Sequence, residues 1–419
     1  MIPVFNWDPQ KAMEEILRFN ENLVKSAQQI LTTAENQVET APTPKELIYE
    51  EDKMKLYRYL PKVENPSRVP LLIVYALVNR QYMMDLQSDR SIVNNYLEMG
   101  LDVYIIDWGY PDRADRFITL EDYIDGYIDT AVDIVRERSG QEKINLLGVC
   151  QGGTFSVIYS ALYPDKIMNL VTMVAPFDFS TNDGLLFSWA KHFDIDTLVD
   201  TFGVVPGSFM NTAFLMLKPF QLAMDKYIGL LDSADKPSAI VDFLKMEKWI
   251  FDSPDQVGET LRKFVKDLYQ ENRLIQNQLE VGGRTVNLKN ITMPLLNIIA
   301  EQDHLVPPAS SKPLNAAVGT RDHKTIIFQG GHIGLFVSSK SQREVAPEVV
   351  KWLKERSVPE KEAAEAPAAP AGKKTGPAKT TGPAKTTGPA KTISPAKTAG
   401  RGGKAGSKAA ASRAEKKNK

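Results

Sequence analysis

The most informative part of the sequence is a short run with one cysteine near its centre, Leu146-Leu147-Gly148-Val149-Cys150-Gln151-Gly152-Gly153. The mostly apolar residues 144–149 are typical of a buried central strand, and residues 154–162 are typical of a helix. Cys150, the only cysteine of the chain, lies between Gly148 and Gly152. Small residues on both sides are what a tight, strained turn requires. The run therefore predicts a strand, a sharp turn and a helix, with a thiol at the tip of the turn.

The Gly-x-Cys-x-Gly spacing is that of the nucleophile elbow of α/β-hydrolases, with cysteine in the place of serine. The start of a helix carries a partial positive charge, which stabilises a thiolate. A free cysteine taken alone is more often a buried apolar residue. Here the glycines and the strand–turn–helix context favour a nucleophile, and we predict that role for Cys150.

Composition places the chain among large globular proteins. It has 419 residues, of which 43% are hydrophobic and 25% charged, and this is enough for a large core. A single cysteine excludes an intrachain disulfide and fits a reducing compartment. Residues 1–20 lack the apolar run of a secretory signal, and no stretch approaches the ~20 apolar residues of a membrane span. These features predict a cytoplasmic protein.

Strand and helix patterns alternate along the chain and divide it into five segments. Residues 1–50 are predicted to be an N-terminal helical segment, and residues 51–177 the first part of an α/β-hydrolase core with a mostly parallel sheet. The alternation stops over residues 178–290, which have helical patterns rich in Met and Phe and predict an inserted, mainly helical cap. It resumes over residues 291–357 as the second part of the core, and residues 358–419 predict a disordered tail.

The tail differs sharply in charge from the rest of the chain. Residues 361–419 contain 14 Lys and Arg but only 3 Asp and Glu, whereas the remainder has 37 basic and 49 acidic residues. The hexapeptide Thr-Gly-Pro-Ala-Lys-Thr occurs three times in succession from Thr375 and once more in degenerate form. Two interpretations remain open: a solvated linker, or weak contact with nucleic acid or another polyanion.

A thiol nucleophile on this fold requires a base and an orienting acid, in the chain order nucleophile, acid, histidine. Asp303 follows the predicted strand 294–300, and His332 lies in a glycine-rich loop after the predicted strand 324–328. We therefore predict Cys150, Asp303 and His332 as the catalytic residues, with His304 in a structural role.

The oxyanion formed in acyl transfer requires two backbone N–H donors. The fold supplies one after the nucleophile and one from the loop after the first core strand, so we predict the amides of Gln151 and Val78. Arg80, in the same loop, is predicted either to approach phosphate groups or to form a structural ion pair. No metal-ligand spacing is present, and no metal is predicted. A cysteine exchanges one thioester for another at little cost, which favours acyl transfer from a thioester.

Several motifs together resemble one family. The elbow, the loop Val74-Tyr75-Ala76-Leu77-Val78-Asn79-Arg80, and the runs Tyr104–Gly109 and Gly330–Gly334 look like polyhydroxyalkanoate synthase. The short N-terminal region and Met246–Asp255 resemble the class III catalytic subunit. The resemblance covers roughly residues 1–357, and the basic tail is outside the pattern.

The resemblance implies polymerisation of an (R)-3-hydroxyacyl-CoA, usually a short-chain one such as 3-hydroxybutyryl-CoA, through a thioester on Cys150, with release of CoA. His332 would deprotonate Cys150 and help to activate the substrate hydroxyl. The family uses no cofactor beyond the CoA of its substrate. It implies a second, non-catalytic subunit, homo- and hetero-oligomers, and cytoplasmic polyester granules. The alternatives are a cysteine hydrolase of the dienelactone type and, in another class, a granule-associated scaffold.

Overall fold

The computed structural model describes residues 9–32, 38–220, 226–232 and 236–357. Its centre is one eight-stranded sheet. The strands are β1 Lys45–Glu51, β2 Met54–Tyr59, β3 Leu71–Val74, β4 Val103–Asp107, β5 Ile144–Val149, β6 Ile167–Met173, β7 Leu295–Ala300 and β8 His323–Phe328. Their order in the sheet is β1-β2-β4-β3-β5-β6-β7-β8. β2 pairs antiparallel with β1 and with β4, and every other neighbouring pair is parallel. The mostly parallel α/β architecture predicted from the sequence is therefore confirmed.

Helices follow most strands of the sheet and fill the insertion between β6 and β7. A π-helical segment, Asp122–Ile128, leads directly into the α-helix that begins at Asp129. The α-helices of the described residues are α1 Pro9–Thr32, α2 Ile92–Glu98, α3 Asp129–Ser139, α4 Gln151–Leu162, α5 Leu185–His192, α6 Ile195–Phe202, α7 Gly207–Leu217, α8 Lys226–Asp232, α9 Pro237–Phe251, α10 Gly258–Lys263, α11 Pro308–Ser311, α12 Leu314–Ala317, α13 Gly334–Val337 and α14 Ser339–Arg356. In the described part of the chain, none of these helices combines the length and the apolar character needed to cross a membrane.

The two faces of the sheet are covered by different helices, and this explains the apolar composition of its strands. Leu72 and Val74 of β3 pack with α3 and α4, whereas Leu71 and Ile73 pack with α2 and α14. Side chains alternate between the two faces of a strand, so a strand covered on both faces is apolar throughout. The cysteine-bearing turn thus follows β5, a central and fully buried strand.

The N-terminal segment, predicted above to be helical, contains a strand as well as a helix. α1 spans Pro9–Thr32, whereas residues 45–50, assigned above to a helical segment, belong to the strand β1. β1 is the edge strand of the sheet and pairs only with β2, with a register shift between Leu47 and Tyr49. Because one side of an edge strand faces solvent, its sequence has charged residues in place of a continuous apolar run.

The insertion between β6 and β7 contains α5 to α10 and two short antiparallel strand pairs. Val204–Val205 pairs with Gln256–Val257, and Glu280–Val281 pairs with Arg284–Thr285. Residues 221–225 and 233–235 of this segment lie outside the described residues. The tail, residues 358–419, also lies outside them, and its disorder stays a prediction.

Candidate active site

Cys150 lies at the tip of the turn between β5 and α4. Its backbone has φ 53° and ψ −123°, a conformation that costs a non-glycine residue about 1–3 kcal/mol. The surrounding fold holds the turn in place, because the Cys150 N–H donates to the carbonyl of Met173 at 2.9 Å. The turn exposes part of the side chain, and Cys150 is half-buried.

The two glycines that flank Cys150 are required by close backbone contacts. A Cβ at Gly152 would lie 2.3 Å from the carbonyl oxygen of Val74, and one at Gly148 would lie 2.5 Å from the Cα of Gly153. Both distances are far below ordinary van der Waals contact. The predicted reason for the Gly-x-Cys-x-Gly spacing, a turn with no room for side chains, is therefore present in the structure.

The loops after β7 and β8 bring an acid and a histidine together beside the turn. His332 donates from Nδ1 to Oδ2 of Asp303 at 2.7 Å, and both residues are buried. The other carboxylate oxygen of Asp303 accepts from the backbone N–H groups of Leu305 and Val306, each at 2.9 Å. These bonds fix the orientation of the carboxylate, and through it the orientation of the imidazole ring.

The remaining ring nitrogen of His332, Nε2, is left for the thiol. Burial lowers the pKa of His332, but the charge of Asp303, its hydrogen bond and a hydrogen bond to Cys150 outweigh burial and raise it above the ordinary value of 6.5. The structure thus brings together Cys150, His332 and Asp303, in an arrangement able to move a proton between sulfur and ring.

The predicted oxyanion donors lie on two segments that contact each other. Residues 75–82, which follow β3, are called the 75–82 loop here. The N–H of Leu77 donates to the side-chain oxygen of Gln151 at 3.1 Å, so this loop is held against the start of α4. That bond occupies the Leu77 amide. Among the described residues, the Val78 amide has no hydrogen-bond acceptor, and Gln151, as the first residue of α4, has no acceptor within the helix for its N–H. These two N–H groups are therefore available to an oxygen atom of a substrate.

Of the two interpretations left open for Arg80, the structure shows the ion pair. Its guanidinium group contacts the Asp107 carboxylate at 2.8 Å and donates to the carbonyl of Gly109 at 2.7 Å. It also stacks on the ring of Tyr110, 4.2 Å from the centroid. His304 is half-buried beside the site, and burial together with the charge of Lys218 lowers its pKa.

Sequence reasoning gave no role to two tyrosines near the thiol. Burial, followed by the proximity of Cys150, raises the pKa of both Tyr75 and Tyr269. Tyr75 lies in the loop after β3, and Tyr269 in the π-helical segment Phe264–Gln270 of the insertion. Only the folded chain reveals this, because the two residues are almost 200 positions apart and no spacing connects them.

The Met- and Phe-rich part of the insertion is less buried than a helical core would be. Phe209, Met216 and Phe220 have 41%, 56% and 72% of their surface exposed. Met224 of the same run lies outside the described residues. The insertion therefore presents apolar side chains to its surroundings. Within the described ranges, no group of three or more His, Cys, Asp or Glu side chains is arranged to hold a metal ion.

The sheet order, the strained turn and the acid–histidine pair define a member of the α/β-hydrolase fold. Residues 69–339 match the family model described as alpha/beta hydrolase fold. Residues 10–96 match a second model, the N-terminus of poly-beta-hydroxybutyrate polymerase (PhaC).

Named relatives identify the family. The chain is 52% identical to the poly(3-hydroxyalkanoate) polymerase subunit PhaC of Allochromatium vinosum over 350 residues, which is 83% of this chain and 98% of that protein. It is 51% identical to proteins of the same name from Thiocystis violacea and Synechocystis sp., over 83% of this chain and 98% and 94% of theirs. The chain belongs to the PhaC family of poly(3-hydroxyalkanoate) polymerases, so the prediction of an acyltransferase of the polyhydroxyalkanoate synthase type is confirmed.

Proposed function

We propose that this enzyme polymerises an (R)-3-hydroxyacyl-CoA, in the first place 3-hydroxybutyryl-CoA, and releases CoA through a covalent thioester on Cys150. The observation that carries the proposal is the placement of His332, with Nδ1 bonded to a buried carboxylate and the opposite side of the ring facing the thiol. A base held in this way can take the thiol proton and return it to a leaving group.

In the first step, the Cys150 thiolate, whose proton is already on Nε2 of His332, attacks the thioester carbonyl. The carbonyl oxygen becomes an oxyanion, which accepts hydrogen bonds from the amides of Gln151 and Val78. The bond to the CoA sulfur then breaks, and CoA leaves with the proton from His332. The acyl group remains on Cys150 as a thioester.

In the second step, the 3-hydroxyl of another unit attacks that thioester. Its proton passes to Nε2 of His332, the new ester bond forms, and the bond to the Cys150 sulfur breaks. A sulfur leaving group suits this exchange, because a serine ester would be more stable and would be transferred less readily. The apolar surface of the insertion supports a role in excluding water from the acyl-enzyme and in contacting the apolar polyester.

The rest of the proposal concerns partners and location. The enzyme works without a cofactor other than the CoA of its substrate, in an oligomer with a second, non-catalytic subunit, on polyester granules in the cytoplasm. The resemblance of residues 246–255 to class III catalytic subunits supports this, as do relatives whose names describe them as subunits. The basic tail adds a weak contact with a polyanion, supported by its 14 basic residues.

The test is CoA release from 3-hydroxybutyryl-CoA by the full chain, with and without a candidate second subunit. We expect polyester and a large stimulation by that subunit. His332→Gln is expected to lower the rate by about 10²- to 10⁴-fold. The matched control is His323→Gln, the same substitution at an exposed position at the start of β8, which should behave like the wild type.

The alternatives predict different products. Free 3-hydroxybutyrate in equal amount to CoA, without polyester, would indicate a hydrolase of the dienelactone type. No CoA release under either condition would indicate a granule-associated scaffold. Full CoA release by Cys150→Ala would contradict the covalent step itself.

A further inference from the structure

The 75–82 loop, which carries the Val78 amide, is held from one side by the insertion. Trp249 of α9 donates from its indole N–H to the carbonyl of Arg80 at 2.8 Å. The side chain of Gln256 donates to the carbonyl of Leu77 at 3.1 Å. These contacts lie on either side of Val78, so the path of the loop depends on residues about 170 positions later in the chain.

Asn79 makes the most extensive of these contacts. Its side-chain amide donates to the carbonyls of Trp249 at 3.4 Å and Ile250 at 3.2 Å, and to the hydroxyl of Ser253 at 2.6 Å. The carbonyls belong to the last turn of α9, where no further helical N–H is available to them. Asn79 therefore caps the C-terminus of α9 from a different part of the fold.

The backbone of Asn79 links this cap to the predicted oxyanion site. Asn79 has φ 60°, a left-handed conformation that asparagine tolerates better than most residues. It directly follows Val78, while Leu77 on the other side is bonded to Gln151. The peptide plane that carries the Val78 N–H also carries the Leu77 carbonyl, which accepts from Gln256. It lies between the bond of Leu77 to the start of α4 and the bonds of Asn79 to the end of α9.

We infer that Asn79 is a positioning residue, which ties the end of α9 to the 75–82 loop and thereby aims the Val78 amide at the substrate oxygen. The inference rests on the proposed function, in which that amide stabilises the oxyanion. It follows that acyl transfer to Cys150 is fast only while α9 is seated on the loop.

The experiment compares two reactions of the same thiol. Acyl transfer from 3-hydroxybutyryl-CoA develops an oxyanion, whereas alkylation by iodoacetamide does not. Because Cys150 is the only cysteine, alkylation of the full chain reports that thiol alone. The variant is Asn79→Gly, which keeps the left-handed backbone accessible and removes only the side-chain amide.

We expect Asn79→Gly to lower kcat for CoA release by about 10- to 100-fold, less than the full loss of an oxyanion donor, with little change in KM. Its alkylation rate should stay within about twofold of the wild type, since the thiol and His332 are untouched. Asn277→Gly is the matched control. Asn277 also has a left-handed backbone, with φ 56°, but lies outside the 75–82 loop and α9, and its side chain accepts from the N–H of Leu288 at 2.7 Å, so this variant should leave kcat nearly unchanged.

Three results would overturn the inference: an unchanged kcat in Asn79→Gly, an equal loss of alkylation, or an equal loss of kcat in Asn277→Gly. If Asn79→Gly does not fold, Ser253→Ala removes the shortest of the three acceptors from the opposite side, and it should show the same split between the two reactions. A wild-type enzyme that releases no CoA would instead refute the proposed function, whatever the variants do.

Discussion

The turn that carries Cys150 has so little free space that a single methyl group should disturb it. A Cβ at Gly153 would lie 2.3 Å from the Cβ of Ala175, which follows β6. Neither atom can rotate away, because each is bonded directly to its backbone. Overpacking of this kind costs up to about 3 kcal/mol. Alanine in place of glycine stabilises a helix such as α4 by about 1 kcal/mol. We therefore expect Gly153→Ala to lower the free energy of unfolding by about 2 kcal/mol.

The same change should impair the chemistry, because the turn and the end of β6 must separate to make room. Cys150 is tied to that end by its N–H bond to Met173, so the sulfur would shift from its place opposite His332. Displacements of this size commonly cost about 10²-fold in rate. CoA release and urea unfolding, measured on the same preparation, test the two effects together.

Ala175→Gly provides the decisive second-site control. Alone, it removes a buried methyl group and adds backbone freedom, at a cost of about 1–2 kcal/mol. Combined with Gly153→Ala, it opens the space that the new methyl group needs, and the coupling energy should be about 2–3 kcal/mol. A double variant no more stable than Gly153→Ala, or a single variant as stable as the wild type, would refute this account of the turn.

Three further predictions address the site and the tail. Cys150→Ser should be severely impaired in CoA release, because serine does not supply an accessible anion; turnover near that of the wild type would contradict the thiolate mechanism. Asp303→Asn removes the charge that raises the pKa of His332 and leaves burial, which lowers it, and Cys150, which raises it, so the imidazole should titrate at a lower pH in the variant than in the wild type in an NMR titration. Accordingly, the stability that this proton gives the wild type is present below about pH 6.5 and is lost as the pH rises through the folded-state pKa. Deletion of residues 361–419 should abolish polyanion binding at low salt, and unchanged binding would eliminate that role for the tail.

Much of the site could be predicted from the sequence because its elements are local. The strand, turn and helix around Cys150 are contiguous, and the need for Gly148 and Gly152 follows from the sterics of a few neighbouring residues. The chain order of Cys150, Asp303 and His332 follows from the order of the strands in this fold. The edge strand β1 was missed because its exposed side lacks the apolar pattern that marks the buried strands.

The amino-acid sequence by itself determined where the thiol lies, which acid and histidine accompany it, and that a helical insertion separates β6 from β7. Only the tertiary structure decided which loop amide is free, which tyrosines approach the thiol, and that Asn79 holds the end of α9. These last features depend on contacts through space between residues 74 to 174 positions apart. A side-chain amide that caps a distant helix leaves no periodicity or spacing in the sequence, because its partners are selected by the packing of the insertion on the sheet.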